Sequence, residues 1–234
     1  MRVKVSLVAA MVLLWSIQAL AQFEHPDLKS GKKRVHSILF MPAQVRLIKV
    51  GMKGAESMTE ESRQTELDLS SVIGTVLQQL GYKVDQEALA PAVLDKDSDL
   101  RYTVDDLQKK FDDELRRMGR KAKDVRKGRF TLGDEVTKLP AGEGVDALLF
   151  VRASGEVLTG GKKAFGYLVT GQIFDMAIMQ FGVVDAKNGD VLYFARPLAF
   201  RNLAKDSEKT ERVVKKSFKN FAKASPAEAA SAKK

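Results

Sequence analysis

Few side chains in this chain are equipped for chemistry, and they do not converge. The sequence has 234 residues with 2 histidines and no cysteine. Without cysteine there are no disulfides, thiolate metal sites or cysteine nucleophiles. His25 stands beside Pro26 and His36 sits at the edge of an apolar run. Neither has a partner at metal-ligand spacing, so no metal or catalytic role is assigned to them. Gly155, Gly160, Gly161, Gly166 and Gly171 are closely spaced, yet they lack the order of a phosphate-cradling loop. Asp112, Asp113 and Glu114 are a dense acidic cluster, but neighbours on a helix point to different sides, which predicts a solvated helix face. No catalytic residue, cofactor or metal is predicted, and the expected role is non-enzymatic.

Two segments have the composition of contact surfaces instead. The stretch from Gly160 to Phe174 reads GGKKAFGYLVTGQIF, where a short turn would suffice. Phe165, Tyr167, Leu168, Ile173 and Phe174 make it a candidate patch for a partner or a membrane surface. The alternative is a short helix or hairpin packed on a sheet edge. The second segment is the basic run from Arg116 to Arg129, which nets +7 against a single acid, Asp124. Arg116, Arg120, Lys123 and Arg126 are its candidate anion contacts. Acids early and bases late in one helix also complement the helix dipole, which is the competing explanation. No aromatics interleave with these cations to stack on bases, so nucleic acid is not an expected partner.

The elements that must carry these segments follow from periodicity. Arg2 and Lys4 precede an apolar run, Leu7 to Trp15, and Ala19-Leu20-Ala21 is a small-x-small site. Residues 1–21 therefore read as a secretory signal, cleaved near Ala21/Gln22. The run is too short to span a bilayer as a helix, which takes about 20 apolar residues. Export without cysteines points to a bacterial periplasm, with secretion as the alternative. The whole chain carries a formal net charge of +9.

Residues 22–34 are predicted to be an extended leader, 35–223 a single domain and 224–234 a disordered tail. Val35 to Met41, ended by Pro42, has the pattern of a buried strand. A looser stretch and a glycine-containing loop follow, up to Met58. Leu69, Val72, Ile73, Val76, Leu77 and Leu80 recur at helical steps, with Ser57 or Thr59 as cap and Gly81 as stop. Tyr82-Lys83-Val84 is expected to be a short second strand. A second helix is expected over 103–127, with Val104, Leu107, Phe111, Leu115 and Met118 on one face. Asp146 to Thr159 and Asp175 to Asp185 are long strands. Asn188-Gly189 predicts a type I′ hairpin into Val191 to Arg196. A last helix, capped by Ser207, is expected to bury Thr210, Val213, Val214, Ser217, Phe218 and Phe221. The sum is an α/β fold: a mixed sheet of about five strands with helices packed on it.

Three short echoes accompany this order of elements. They are Gly81-Tyr82-Lys83-Val84 after the first helix, Val145-Asp146-Ala147-Leu148-Leu149 opening the central strand, and Asp185-Ala186-Lys187-Asn188-Gly189-Asp190-Val191-Leu192-Tyr193 at the hairpin. Together they resemble the periplasmic α/β domain of CsgG-like and PelC-like envelope lipoproteins and the amino-terminal domain of TolB, over roughly residues 35–223. The resemblance implies an envelope protein that assembles with itself or with an envelope partner, with peripheral membrane contact as a further option. The chain departs from those lipoproteins in lacking a lipid-bearing cysteine, and its insertion is too short for a barrel hairpin. No functional residue is carried over from them.

Overall fold

The computed structural model describes residues 22–121, 124, 127–140, 144–161, 175–199 and 207–224. In chain order its first elements are β1 (Gln22–Glu24), α1 (Pro26–Lys29), β2 (Ser37–Phe40), β3 (Gln44–Gly51), β4 (Gly54–Ser57) and α2 (Thr59–Gln79). Next come β5 (Lys83–Asp85), α3 (Pro91–Leu94), α4 (Ser98–Arg120) and a 3-10 turn at Asp134–Lys138. Then follow β6 (Ala147–Leu158), β7 (Met176–Asp185), β8 (Val191–Ala195), β9 (Leu198–Ala199) and α5 (Ser207–Ala224).

Two prolines set the plan of the sheet, because a proline has no N–H to give to a ladder. β6 and β7 form a long antiparallel ribbon, in register from Ala147↔Asp185 to Glu156↔Met176. β2 and β3 both run parallel to β6, β2 against Ala147–Leu149 and β3 against Arg152–Leu158, with Pro42 between them. On the far side β8 and β9 both pair with β7, with Pro197 between them. β1 adds to β8, β5 to β2 and β4 to β3. Among the described residues the mixed sheet thus has nine strands rather than about five. The surplus comes from the two proline breaks, from short edge strands, and from a β3–β4 hairpin where a loose stretch and a loop were expected.

Side chains alternate across each strand, so the sheet has two apolar faces. One packs Ile38, Leu149, Val151, Phe181 and Val183 against Leu69, Ile73 and Val76 of α2 and Val214, Phe218 and Phe221 of α5. The other packs Leu39, Leu148, Phe150 and Val184 against Val104, Leu107, Phe111 and Met118 of α4. Gly182 makes room for the second face: a Cβ there would overlap the Phe111 ring. Phe111 in turn stacks on Phe150, with ring centroids 4.6 Å apart.

Helix boundaries depart from expectation where capping differs. Neither Ser57 nor Thr59 caps α2: Met58 is the N-cap residue and makes no side-chain cap. At its other end the expected stop holds. Gly81 has φ 92, its N–H bonds the Gln78 carbonyl, and the Tyr82 N–H bonds that of Leu77, a Schellman closure. α4 starts earlier than the apolar spacing predicts, because Asp97 accepts from the N–H groups of Asp99 and Leu100.

Two more expectations are corrected. The leader at 22–34 is built into the domain as β1 and α1, since Leu28 and Val35 supply fully buried anchors. His25 Nδ1 accepts the Asp27 N–H and caps α1. The β7–β8 connection is not type I′, which needs positive φ at two residues. Only Gly189 has it, at φ 75. The Asp185 carboxylate accepts from Lys187 N and Asn188 N and bends the chain into a longer turn.

Candidate interaction face

The upper half of the sheet, beyond the two prolines, is covered differently on its two sides. Val45 and Leu47 of β3 point toward α2 and are buried. α2 also seals the strand's outer edge: Ser62 Oγ accepts the Leu47 N–H at 2.9 Å and Glu66 Oε1 that of Val45 at 2.9 Å. Beyond them β4 pairs with Ile48 to Gly51. This edge is closed.

Among the described residues, the opposite side is covered only up to Arg152. This buried guanidinium sits where β6 changes neighbours from β2 to β3. Its Nε donates to Asp112 Oδ1 at 2.7 Å and its Nη2 to the Gln108 carbonyl at 2.9 Å, both on α4. Gln108 Nε2 donates to the Pro42 carbonyl at 2.8 Å, so the same residues satisfy the strand break. Arg152 also lies over the Phe111 ring, 5.5 Å from its centroid. The network ends the apolar packing of α4.

Past Arg152, the outward positions of β3, β6, β7 and β9 lie side by side. Register places Arg46 beside Ser154, Ile48 beside Glu156, Ser154 beside Ile178, Glu156 beside Met176 and Ile178 beside Leu198. Met176 is 41% exposed and Leu198 49%, well above the level of a core residue. A shallow depression of about 340 Å³ is floored by Ile48, Ile178 and Gly155 and rimmed by Arg46 and Glu156. A second, of about 360 Å³, adjoins it at Arg46 and Ser154 and reaches Asp112 and Arg152. Arg46 and Glu156 are exposed, and among the described residues neither side chain has an ion pair or hydrogen bond. The face is thus apolar at its centre, with one unpaired charge of each sign.

The polar groups at the other end of the sheet serve the fold. Asp146 Oδ2 accepts from His36 N at 2.8 Å, Ser37 N at 3.0 Å and the Ser37 hydroxyl at 3.1 Å. Burial pushes this carboxyl up, but the three donors outweigh it and hold the pKa below its ordinary value. Lys33 bridges Asp185 and Asp190 across the β7–β8 turn. Among the described residues there is no group of three or more metal-ligating side chains, and no helix is long and apolar enough to cross a membrane.

The segments singled out by sequence fare unevenly. Phe165, Tyr167, Leu168, Ile173 and Phe174 lie outside the described residues, as do Lys123 and Arg126, the signal segment 1–21 and the tail from 225 on. Arg116 is ion-paired to Asp113 one turn back on α4. The backbone of Arg120 ends α4. Arg46, Ile48, Met176 and Ile178 were not anticipated. The available signal was an apolar residue on the polar phase of a strand, Ile48 after Arg46 and Ile178 before Gln180.

Comparison with known proteins gives a distant likeness. No known protein family matches the chain, and no curated protein matches it. Among solved structures, PelC of Paraburkholderia phytofirmans, crystallised as a dodecamer, is similar at 9% identity and a TM-score of 0.41, covering 84% of this chain and 91% of that one. A lipoprotein of Neisseria meningitidis is similar at 12% identity and a TM-score of 0.37, covering 80% of this chain and 96% of that one. Of the resemblances read from sequence, the PelC-like one has a counterpart here; those to CsgG-like proteins and TolB find no support in these structures.

Proposed function

We propose that this chain is a non-enzymatic accessory or assembly protein of the bacterial cell envelope, acting by protein contact at the open face of its upper half-sheet. The observation that carries this reading is the face itself: Ile48, Met176, Ile178 and Leu198 side by side, outside the cover of α4. Apolar patches with a polar rim are the usual mark of a contact site. The conspicuous polar groups elsewhere, Arg152, Asp146 and Asp185, are engaged in holding strands together. The envelope location rests on the sequence, whose first 21 residues have the pattern of a secretory signal and which contains no cysteine. The chain would then act in the periplasm, starting near Gln22.

In-cell photo-cross-linking tests this. A photoreactive residue at Ile178 is expected to give protein adducts, whereas one at Leu67, exposed on the outer side of α2, is not. Absence of any adduct at Ile178, or equal adducts at both positions, overturns the reading. Recovery of a periplasmic chain beginning near Gln22 tests the location separately.

A further inference from the structure

We infer that the occupant of the open face is a second copy of this chain, docked about a two-fold axis that sets Arg46 of each copy against Glu156 of the other. This rests on the reading of the face as a contact surface and goes on to name its partner.

The argument starts from register. Arg46 pairs across the ladder with Ser154, and Ile48 with Glu156. These four residues are the corners of a rectangle on one face. Its sides are about 4.8 Å across the strands and about 6.6 Å along them. Arg46 and Glu156 occupy one diagonal, with Ile48 and Ser154 on the other. A two-fold axis lying in the plane of contact and bisecting the Arg46–Glu156 line exchanges their projected positions. It therefore satisfies both charges twice, with one operation. The same axis passes within about 1 Å of Ile48 and Ser154, so the apolar Ile48 meets its own copy at the centre.

Symmetric contacts require a patch that is complementary to itself. An apolar centre with one unpaired charge of each sign meets that requirement, and a patch of a single sign would not. The axis also fixes how the sheets cross. It lies about 54° from the strand direction, so the strands of the two copies cross at about 70°. That falls near the orthogonal class of sheet packing. Of the other outward neighbours, Ile178 also lies close to the axis, while Met176 and Leu198 lie on its Glu156 side and face the Arg46 side of the other copy.

Four strands at about 4.8 Å spacing, each showing about two outward residues over about 13 Å, make a face of roughly 19 by 13 Å. This is well short of the roughly 800 Å² per partner of a standard stable interface. The dimer is therefore weak and concentration-dependent, in the micromolar range or above.

Charge reversal separates a second copy from any other occupant. Sedimentation is followed on the full chain as processed by its host, from micromolar to about millimolar concentration. The natural chain is expected to shift from monomer to dimer. Arg46→Glu alone and Glu156→Arg alone each place two like-charged pairs across the axis and weaken dimerisation at least tenfold. The double reversal, Arg46→Glu with Glu156→Arg, restores it. An equimolar mixture of the two single variants forms a heterodimer tighter than either homodimer. In it, the chain carrying carboxylates at both positions faces the chain carrying guanidinium groups at both. Circular dichroism on each variant confirms that the fold is kept.

A chain monomeric throughout the range overturns the proposal, as do single reversals without effect. Loss in the single variants without rescue in the double or the mixture also overturns it. If Ile178 cross-links in cells to a different protein while the purified chain stays monomeric, the contact face stands and the second copy falls. If Ile178 cross-links to nothing, the face itself falls.

Discussion

Arg152 and Asp112, 2.7 Å apart, join the middle of the sheet to the middle of α4 at the point where β6 changes partners. Arg152 is buried while Asp112 is 39% exposed, so water can take over the carboxylate but not the guanidinium's position. Truncating Arg152 to Ala should cost about 3 kcal/mol, from the lost bonds and the void between Phe111 and the strand. Arg152→Met fills the space and should cost markedly less, since an apolar isostere often replaces a buried ion pair at little loss. Urea unfolding of both variants checks the order. Equal losses would mean that the charge pair, and not the volume, holds the junction.

Gly182→Ala should destabilise by about 1–3 kcal/mol, because the new Cβ and the Phe111 ring claim the same space. Phe111→Leu alone also weakens the core, by removing the stack on Phe150. Combining them should recover part of the loss, giving a coupling of opposite sign in a double-mutant cycle. Strict additivity would show that the helix shifts freely and the contact is soft.

Asp146→Ala leaves the N–H groups of His36 and Ser37 without their acceptor and should cost about 2–3 kcal/mol at neutral pH. The folded carboxyl titrates below its ordinary value of 3.8. Its contribution is thus complete above that pH and lost as pH falls through the folded pKa. The difference in melting temperature between natural chain and variant should stay constant from pH 7 to about 5 and shrink toward pH 3. A gap that widens in acid contradicts this assignment.

Tyr193 donates to the Ser217 carbonyl and accepts from Gln22 Nε2, while Gln22 Oε1 accepts from Asn220 at 3.0 Å. One phenol thus ties β1, β8 and α5 together. Tyr193→Phe should lower stability by about 1–2 kcal/mol and open residues 22–34 to protease before the rest of the chain. Timed proteolysis read by mass spectrometry checks the order of cleavage; an unchanged first cut would place the anchor of β1 elsewhere.

The helices were legible because their burial follows one period. Leu69, Ile73, Val76 and Leu77 of α2 are buried as their spacing predicts. So are Val104, Leu107, Phe111 and Met118 of α4. β3 was not legible for the reason that makes it interesting. Val45 and Leu47 alternate with Gln44 and Arg46, and then Ile48 falls on the polar phase and spoils the alternation. β7 has apolar residues on both phases, Ala177 and Met179 inward, Met176 and Ile178 outward. That pattern says both faces are apolar, and only the path of α4 decides which part of the second face is covered. The partner of Arg152 was hidden similarly, since Asp112 lies 40 positions away in the chain and meets it only through helix docking.

Pro42 and Pro197 fall at nearly the same height on either side of the β6–β7 ribbon. Among the described strands, only that ribbon runs unbroken from one half of the sheet to the other. It works as a torsion bar, with two stiff plates clamped at its ends and a compliant collar at the prolines. Amides of β6 and β7 on the α4-covered side should then exchange with solvent only in global unfolding, while those of β3, β4 and β9 exchange through a lower-energy local opening. On the other face α2 spans both plates, so a pull on the upper plate reaches the core beneath through Val45, Leu47 and their bonds to α2.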